Sequence, residues 1–157
     1  MKKISLCFLL LISFQSFSQT LESDRLALVD LYNATNGSYW YNRSGWSVPG
    51  NPGDKPCGWF GISCQGGRVT SVMMTGNNLT GKVPESLTTL NEVRYLYIGG
   101  NYITGSIPSS FGNMTNLRHV ILSSNSELIG EIPISIGNLH FLEYLAITNT
   151  RISGSIP

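Results

Sequence analysis

Residues 69–157 repeat one pattern almost four times, and this repetition constrains the fold more than any other feature of the chain. Two sets of marker residues recur 24 or 25 positions apart: the asparagines Asn77, Asn101 and Asn125, and the glycines Gly81, Gly105, Gly130 and Gly154. Self-similarity at a period of about 20 to 50 residues indicates a solenoid, in which one structural unit stacks on the next. The one extra residue lies between Asn125 and Leu128, where we expect a small bulge in a loop.

Each repeat contains a short apolar run, such as Leu96-Tyr97-Ile98, that predicts a β-strand. A single strand cannot bury its inward side chains, so stacked neighbours must supply the core. The register predicts three columns of inward side chains: Val72, Leu96, Val120 and Leu145; Met74, Ile98, Leu122 and Ile147; and Leu79, Ile103, Leu128 and Ile152. The third column closes the turn that follows each strand.

Asn77, Asn101 and Asn125 stand where the chain leaves each strand, and we predict that they form a structural asparagine corner. Backbone groups at such a corner would be buried without partners, and an asparagine amide can both donate and accept hydrogen bonds. The fourth repeat carries Thr150 instead, so we expect its corner to be the weakest.

Over residues 69–157 the repeats resemble plant-type leucine-rich repeats, whose pattern is L-x-x-L-x-L-x-x-N-x-L-x-G-x-I-P. The resemblance implies an α/β repeat solenoid: a right-handed superhelix with a parallel concave β-sheet and an N-terminal helical, disulfide-containing cap. It also implies that the Gly-x-Ile-Pro segments, for example Gly105 to Pro108, form a second short strand beside the main sheet.

Residues 1–18 have the pattern of a secretory signal peptide. Lys2 and Lys3 precede an apolar run from Ile4 to Phe14, and a small-residue cleavage site ends at Ser18. The run is too short for a transmembrane helix, which needs about 18 to 20 apolar residues. We therefore predict a secreted or cell-surface protein with no transmembrane segment in this chain, and Cys7 would leave with the signal.

Residues 19–68 are predicted to form a cap domain in front of the repeats. Apolar residues recur at helical intervals from Leu21 to Asn33, and Ser23 or Asp24 could cap the start of this helix. A turn-rich run from Pro49 to Asp54 follows, surrounded by the three tryptophans Trp40, Trp46 and Trp59. We expect an irregular aromatic lid there, neither strand nor helix, that covers the open end of the solenoid.

The segment PCGWFGISC, residues 56–64, resembles the N-terminal cap domain that precedes plant-type leucine-rich repeats, and the likeness covers roughly residues 21–72. In that family the two cysteines pair, which implies a Cys57–Cys64 disulfide. These are the two cysteines left after signal removal, an even number in a secreted chain. A loop of this size implies about 2 to 3 kcal/mol of stabilisation. Two buried free thiols are the alternative.

Five N-x-S/T sequons occur: Asn33, Asn36, Asn42, Asn78 and Asn113. In a eukaryote some would carry glycans, whereas in a bacterium they would be ordinary loop residues. The short signal with two lysines favours a bacterial envelope or secreted protein, but the sequence does not decide between the two sources.

The sequence contains no pattern typical of an enzyme or a cofactor site. It has no phosphate loop, paired-carboxylate signature or H-E-x-x-H motif, and its two histidines, His119 and His140, lie far from the cysteines. We therefore expect no catalytic residues, no cofactor and no metal. Charged residues make up only 12% of the chain, without a basic patch, which argues against nucleic acid as a partner.

The strand residues that point outward are predicted to form the concave face of the solenoid. A semi-apolar group of them, the concave patch, is our candidate ligand-binding surface: Met73, Tyr95, Tyr97, His119, Ile121 and Tyr144. Aromatic side chains with a polar tip are favoured at recognition surfaces. The alternative is that cross-strand aromatic pairs only stabilise the sheet.

We consider three functions. The first, implied by the resemblance, is a non-catalytic recognition module that binds a protein, peptide or glycan on its concave face. The second is the N-terminal targeting or ligand-binding part of a larger receptor-like protein or enzyme. The chain stops at Pro157, inside a repeat and without a capping segment, so we expect it to be a fragment. The third is an inhibitor of a secreted hydrolase. The sequence leaves the oligomeric state open.

Overall fold

The computed structural model describes residues 22–46 and 54–157. The predicted signal peptide, and residues 47–53 with most of the turn-rich run, lie outside these ranges. The described chain forms an N-terminal cap followed by stacked repeats. None of the helices in these two ranges is both long and apolar enough to cross a membrane.

Two sheets run along the solenoid, because each repeat contributes one strand to each of them. The first sheet contains, in this order, β1 (Ile62–Gln65), β2 (Arg68–Met73), β4 (Tyr95–Tyr97), β6 (His119–Ile121) and β8 (Tyr144–Ala146). The second contains β3 (Thr80–Lys82), β5 (Tyr102–Gly105), β7 (Glu127–Glu131) and β9 (Arg151–Ser153). All pairings between repeats are parallel. The predicted repeat solenoid with a parallel main sheet is confirmed.

Short 3₁₀ helices connect each strand of the second sheet to the next strand of the first. They span Glu85–Thr89, Phe111–Asn113 and Ile134–Asn138. Two of them begin directly after the proline that ends a Gly-x-Val-Pro or Gly-x-Ile-Pro segment, at Glu85 and Ile134. The helix at Phe111 begins three residues after such a proline. A proline fixes its own φ and favours the start of such a turn. The recurring proline therefore ends the extended segment and starts a helical turn at nearly the same position in each repeat.

The three predicted inward columns form the core. Every member of these columns in the first three repeats is at least 97% buried. In the fourth repeat, Leu145, Ile147 and Ile152 are only partly buried and pack against the edge of this core. The inward register was therefore predicted correctly.

The cap packs onto the first repeat through a helix and a cluster of aromatic rings. The helix, α1, covers residues 22–34 of the described chain. Ring centroids in the cluster lie 5.2 Å apart for Tyr32 and Trp40, 4.9 Å for Trp40 and Trp46, and 4.7 Å for Trp46 and Trp59. All four side chains are buried and belong to the same core as the repeats. The segment is more regular than predicted, because the 3₁₀ helices Gly37–Tyr39 and Pro56–Gly58 flank the cluster.

Asp24 does not cap α1, contrary to the sequence-based expectation, because Glu22 and Ser23 are already helical. Its carboxylate is fully buried and binds the first repeat instead. The Oδ2 atom accepts hydrogen bonds from Arg68 Nε and from the Val69 main-chain nitrogen, both at 2.9 Å, and Oδ1 accepts one from Arg68 Nη2 at 2.9 Å. This ion pair ties the helix to the first strand of the repeats.

Strand β1 was not predicted. It pairs antiparallel with β2 through the tight turn at Gly66 and Gly67, so the cap extends the main sheet by one strand. The predicted disulfide is confirmed: Cys57 and Cys64 are bonded, with their Cα atoms 5.5 Å apart. The bond holds the 3₁₀ helix Pro56–Gly58 against this edge strand.

The second strand of each repeat lies earlier than the resemblance implied. In the second repeat, for example, β5 ends at Gly105, where the Gly-x-Ile-Pro segment begins, and Ser106 to Pro108 are not in a strand. The hydrogen-bonded part is the stretch around the third inward column, here Ile103. The expectation that Gly-x-Ile-Pro itself forms the strand was wrong by a few residues.

Candidate ligand-binding face

The register of the first sheet places the concave patch in two adjacent columns. In one column Ser71 pairs with Tyr95, Tyr95 with His119, and His119 with Tyr144. In the other, Met73 pairs with Tyr97, and Tyr97 with Ile121. Neighbouring strands in a sheet lie about 4.8 Å apart, so side chains in one column are in contact from rung to rung. The structure thus brings all six predicted residues onto one surface.

The patch becomes more exposed towards its two ends. Tyr95, Tyr97, His119 and Ile121, in the middle, are half-buried. Met73 at one end is 43% exposed and Tyr144 at the other is 52% exposed. Large apolar and aromatic groups therefore remain available to a partner after the sheet has formed.

The aromatic rings contact one another at steep angles, edge to face for Tyr95 with Tyr97 and with His119, and tilted for His119 with Tyr144. Ring centroids lie 6.3 Å apart for Tyr95 and Tyr97, 5.4 Å for Tyr95 and His119, and 5.9 Å for His119 and Tyr144. The interplanar angles are 77°, 70° and 48° in the same order. Such contacts between rings are individually worth about 0.5 to 1.5 kcal/mol and restrict ring motion. The rings form notches between tilted planes and not one flat shelf.

A chain of hydrogen bonds crosses the patch at His119. The Tyr97 Oη atom is 3.3 Å from His119 Nδ1, and His119 Nε2 is 3.4 Å from Glu143 Oε2. Arg118 donates from Nη1 to Glu143 Oε1. The Arg118 guanidinium, and after it the His119 ring, lower the pKa of the Glu143 carboxyl below its ordinary value. Glu143 is therefore ionised at neutral pH.

Arg118 and Glu143 belong to a third column that the sequence-based site did not include. They precede His119 and Tyr144, and Arg94 takes the same position in the second repeat. The guanidinium carbon of Arg118 also lies 5.9 Å above the centre of the exposed Phe141 ring. The repeat register could have identified this column, since it holds a charged residue in three of the four repeats.

The opposite edge of the face is built from small residues in left-handed backbone conformation. One position in each repeat has φ between 55° and 64°: Gly76, Gly100, Ser124 and Asn149. Glycine and asparagine tolerate this conformation better than most residues, which explains their recurrence. Beside them, Ser123 Oγ accepts hydrogen bonds at 3.1 Å from both the main-chain nitrogen and the hydroxyl of Thr148. This edge is uncharged and carries hydroxyl groups.

The asparagine corner fixes the ends of the strands that carry the patch. Asn101 Oδ1 accepts from the main-chain nitrogens of Asn77 at 2.9 Å and Leu79 at 3.1 Å, and its Nδ2 donates to Met74 O at 2.9 Å. Asn125 repeats the arrangement towards the second repeat and accepts from Ile103 N at 3.1 Å. By contrast, Thr150 Oγ1 bonds within its own repeat: it donates to Ile147 O at 2.9 Å and accepts from Ile152 N at 3.3 Å.

The face offers contacts for binding and few groups for chemistry. Within residues 22–46 and 54–157 there is no group of three or more His, Cys, Asp or Glu side chains that could hold a metal ion. A second concavity, of about 490 Å³, opens beside the second sheet and includes Lys82, Gly105 and Ile129 in its walls. It shares no residue with the concave patch, and the sequence did not predict it.

The protein resembles known leucine-rich repeat proteins in both parts of the chain. The family described as leucine rich repeat N-terminal domain matches residues 21–65, and the leucine rich repeat family matches residues 67–126. A probable inactive receptor kinase of Arabidopsis thaliana is 33% identical over 70 residues, which are 45% of this chain and 10% of that protein. The chain spans about a tenth of the length of the curated relatives it matches.

Solved structures show the same architecture. A chain of the BIR3–SERK2 complex from Arabidopsis thaliana is 33% identical, with a TM-score of 0.72 over 84% of this chain and 71% of that chain. A chain of the complex of the Arabidopsis receptor kinase HAESA with the peptide hormone IDA and the co-receptor SERK1 is 31% identical, with a TM-score of 0.71 over 85% of this chain and 22% of that one. Together with the disulfide-bonded cap and the 24-residue rungs, these matches show that the chain belongs to the leucine-rich repeat family.

Proposed function

We propose that the protein is a non-catalytic recognition module, secreted or held at the cell surface, that binds a peptide or an extended protein segment across the concave patch. The observation that carries this proposal is the patch itself, an interlocked row of tyrosine and histidine rings on a rigid sheet. Rigid aromatic side chains give large contact areas at low entropic cost. The complex of a similar protein, HAESA, with a peptide hormone supports the same class of ligand.

The tilt of the rings favours a peptide over a glycan. A sugar ring stacks best on a flat aromatic surface, whereas the rings of Tyr95, His119 and Tyr144 are inclined to one another by 70° and 48°. The notches between them suit the separate side chains of an extended peptide. Specificity for a glycan would have to come from hydrogen bonds, and the hydroxyl-rich edge at Ser123 and Thr148 is the place that offers them.

Selection from a random peptide library displayed on phage tests this function, with immobilised linear polysaccharides as the parallel probe. Peptides selected on the parent protein should bind Tyr144→Ala at least about tenfold more weakly, the equivalent of losing about 1.4 kcal/mol at an aromatic anchor. Tyr102→Ala is the matched control, because Tyr102 is 58% exposed on the second sheet, outside the patch. Equal loss of binding by both variants would contradict the assignment.

The double variant Tyr95→Ala, Tyr97→Ala tests the centre of the patch. Both side chains are half-buried on the outward side of β4, so the variant should still fold while binding is lost. If the parent binds a polysaccharide and no peptide, and the double variant loses that binding, the concave face remains the site and the ligand is a glycan. Failure of every probe to bind the folded parent would remove the support for the proposal.

The second hypothesis is that this face is the ligand-binding region of a larger receptor-like protein. The chain spans only about a tenth of the length of its curated relatives, which supports this hypothesis. An intact mass of the protein from its source, before and after reduction, separates the two. A mass that matches roughly residues 19–157 supports a free-standing module, and a much larger mass supports the receptor-like protein. No observation on the described residues favours the hydrolase inhibitor.

A further inference from the structure

His119 lies at the centre of the concave patch and contacts each of its three tyrosines. Its ring centre is 5.4 Å from that of Tyr95 and 5.9 Å from that of Tyr144, and its Nδ1 atom is 3.3 Å from Tyr97 Oη. Its Nε2 atom is 3.4 Å from Glu143 Oε2. Both ring nitrogens therefore have a partner, and these two partners differ in what they can do.

The partner of Nε2 determines the tautomer of the neutral imidazole. An ionised carboxylate can only accept hydrogen bonds, and Arg118 keeps Glu143 ionised by binding its other oxygen. The hydrogen of neutral His119 must therefore be on Nε2. The Nδ1 atom is then an acceptor, so the hydroxyl of Tyr97 donates to it and presents only oxygen lone pairs to the open face.

Protonation of His119 reverses this hydrogen bond. The Nδ1 atom gains a hydrogen and becomes a donor, so Tyr97 Oη must accept. The hydroxyl hydrogen of Tyr97 then turns away from the imidazole and towards the open face. We infer that His119 sets the hydrogen-bonding polarity of the Tyr97 hydroxyl and so selects which polar group of a ligand the concave face accepts. Histidine side chains change charge between about pH 5 and pH 8, which makes the selection dependent on pH.

Of the contacts that His119 makes, its hydrogen bond with Tyr97 is the one that changes direction when the imidazole gains a proton. On the β8 side, Glu143 faces Nε2, and on its own strand Arg118 binds Glu143. On the β4 side the tyrosines Tyr95 and Tyr97 face the ring. The Arg94 guanidinium is directed away from His119, to Gln65 Oε1 of β1 at 3.5 Å. The one carboxylate that faces the imidazole thus stays charged in both states of His119.

The effect on ligand binding rests on the proposed function, whereas the reversal of the hydrogen bond between Tyr97 and His119 does not. With His119 neutral, Tyr97 can accept a hydrogen bond from a main-chain N–H or an amino group of a ligand. With His119 charged, Tyr97 can donate to a carbonyl or carboxylate oxygen. A peptide selected at pH 7.5 through such a donor should therefore bind several-fold more weakly at pH 5.5, since one hydrogen bond is worth about 1 kcal/mol. The same loss should be absent in Tyr97→Phe.

Nuclear magnetic resonance tests the mechanism without any ligand. In the His140→Gln variant His119 is the one histidine left in the sequence, so its ¹⁵N signals report the tautomer directly. The ¹³Cζ signal of each tyrosine reports whether its hydroxyl donates or accepts. We expect the hydrogen on Nε2 at pH 8, and a ¹³Cζ change at Tyr97 between pH 5 and 8 with the same midpoint as His119.

Tyr95 and Tyr144 are the internal controls, because their rings contact His119 and their hydroxyls have no hydrogen bond with it among the described residues. A field effect of the new charge would move all three tyrosine signals together, and that result would overturn the inference. A hydrogen on Nδ1 at pH 8 would overturn it as well. In His119→Gln, with folding verified from the melting curve, the Tyr97 signal should not change over this pH range.

Discussion

The side-chain oxygen of Asn101 lies 2.9 Å from the main-chain nitrogen of Asn77, the equivalent residue one repeat earlier. Asn77 is 3% exposed and Asn101 is 4% exposed, so the Asn77 main-chain nitrogen has no access to water as an alternative partner. Asn125 accepts in the same way from the second repeat, and Asn77 from the main-chain nitrogen of Asn42 in the cap.

We predict that Asn101→Ala lowers the free energy of unfolding by about 1 to 3 kcal/mol, the usual penalty for buried polar groups left unpaired. Urea unfolding followed by circular dichroism measures the change. Asn116→Ala is the control, because the Asn116 amide donates one exposed hydrogen bond, to Asn91 O at 2.8 Å. Equal stability of Asn101→Ala and the parent would contradict the corner.

Gly112 and Gly137 occupy the same position in successive repeats and offer a second matched pair. A Cβ atom at Gly112 would lie 1.9 Å from Ser135 O of the next rung, whereas a Cβ at Gly137 would meet nothing within 4 Å. Gly112→Ala should therefore cost about 1 to 3 kcal/mol or more through forced backbone shifts, and Gly137→Ala should be neutral or slightly stabilising. Thermal melting distinguishes the two. Similar melting temperatures for both variants would show that Gly112 does not pack tightly against the next rung.

For the ion pair of Asp24 and Arg68 we predict that the double variant is more stable than the Arg68→Met single variant. Arg68→Met removes the guanidinium and leaves a fully buried carboxylate without its counter-charge, which should cost about 3 to 5 kcal/mol. Asp24→Asn combined with Arg68→Met should cost less, because the neutral amide oxygen can still accept from Val69 N. Unfolding free energies of the parent, both single variants and the double variant measure the coupling. A double variant less stable than Arg68→Met alone would contradict this reasoning.

We predict that the folded protein loses stability in acid through the protonation of Glu85. Its carboxylate accepts hydrogen bonds from the hydroxyl and main-chain nitrogen of Ser110 and from Ser109, which lower its pKa below the ordinary 4.5. A carboxyl with a lowered pKa in the folded state stabilises the fold above pH 4.5, and the contribution disappears as the pH falls through the folded-state value.

The melting temperature of Glu85→Gln should therefore be lower than that of the parent at pH 6, and the difference should shrink as the pH is taken below 4. Glu131→Gln, at an exposed carboxylate that makes no hydrogen bond among the described residues, should show no such convergence. A constant gap between Glu85→Gln and the parent from pH 6 to pH 3 would show that Glu85 does not act through its charge.

The repeats could be predicted from the sequence because their signal is periodic. Four copies of the same pattern identify the inward columns, and one inward residue fixes the facing of its neighbours. The position of His119 beside Tyr95 and Tyr144 follows from this register alone. The extra residue near Ser126 also behaved as expected, since a turn closed by Leu128 N and Asn125 O, at 3.0 Å, absorbs it.

The cap was harder to predict because it occurs once and its decisive contacts are remote in sequence. Asp24 has the composition of a helix cap, and only its contact with Arg68, 44 residues away, shows its actual role. Strand β1 carried a readable signal, since two glycines between Gln65 and Arg68 are typical of a tight hairpin. The hydrogen bond between His119 and Glu143 depends on side-chain conformations, which the repeat pattern does not determine.

The asparagine contacts run in one direction along the solenoid. Each amide serves the rung on its N-terminal side, so the damage from a corner substitution should be felt upstream. In Asn101→Ala, accelerated hydrogen exchange is expected at the Asn77 and Leu79 amides sooner than at Ile103, whose partner is Asn125. A whole rung inserted into the stack would bring the amide that its predecessor needs. The repeat is therefore a directional building unit, and its natural boundary for grafting lies after the corner and not within the strand.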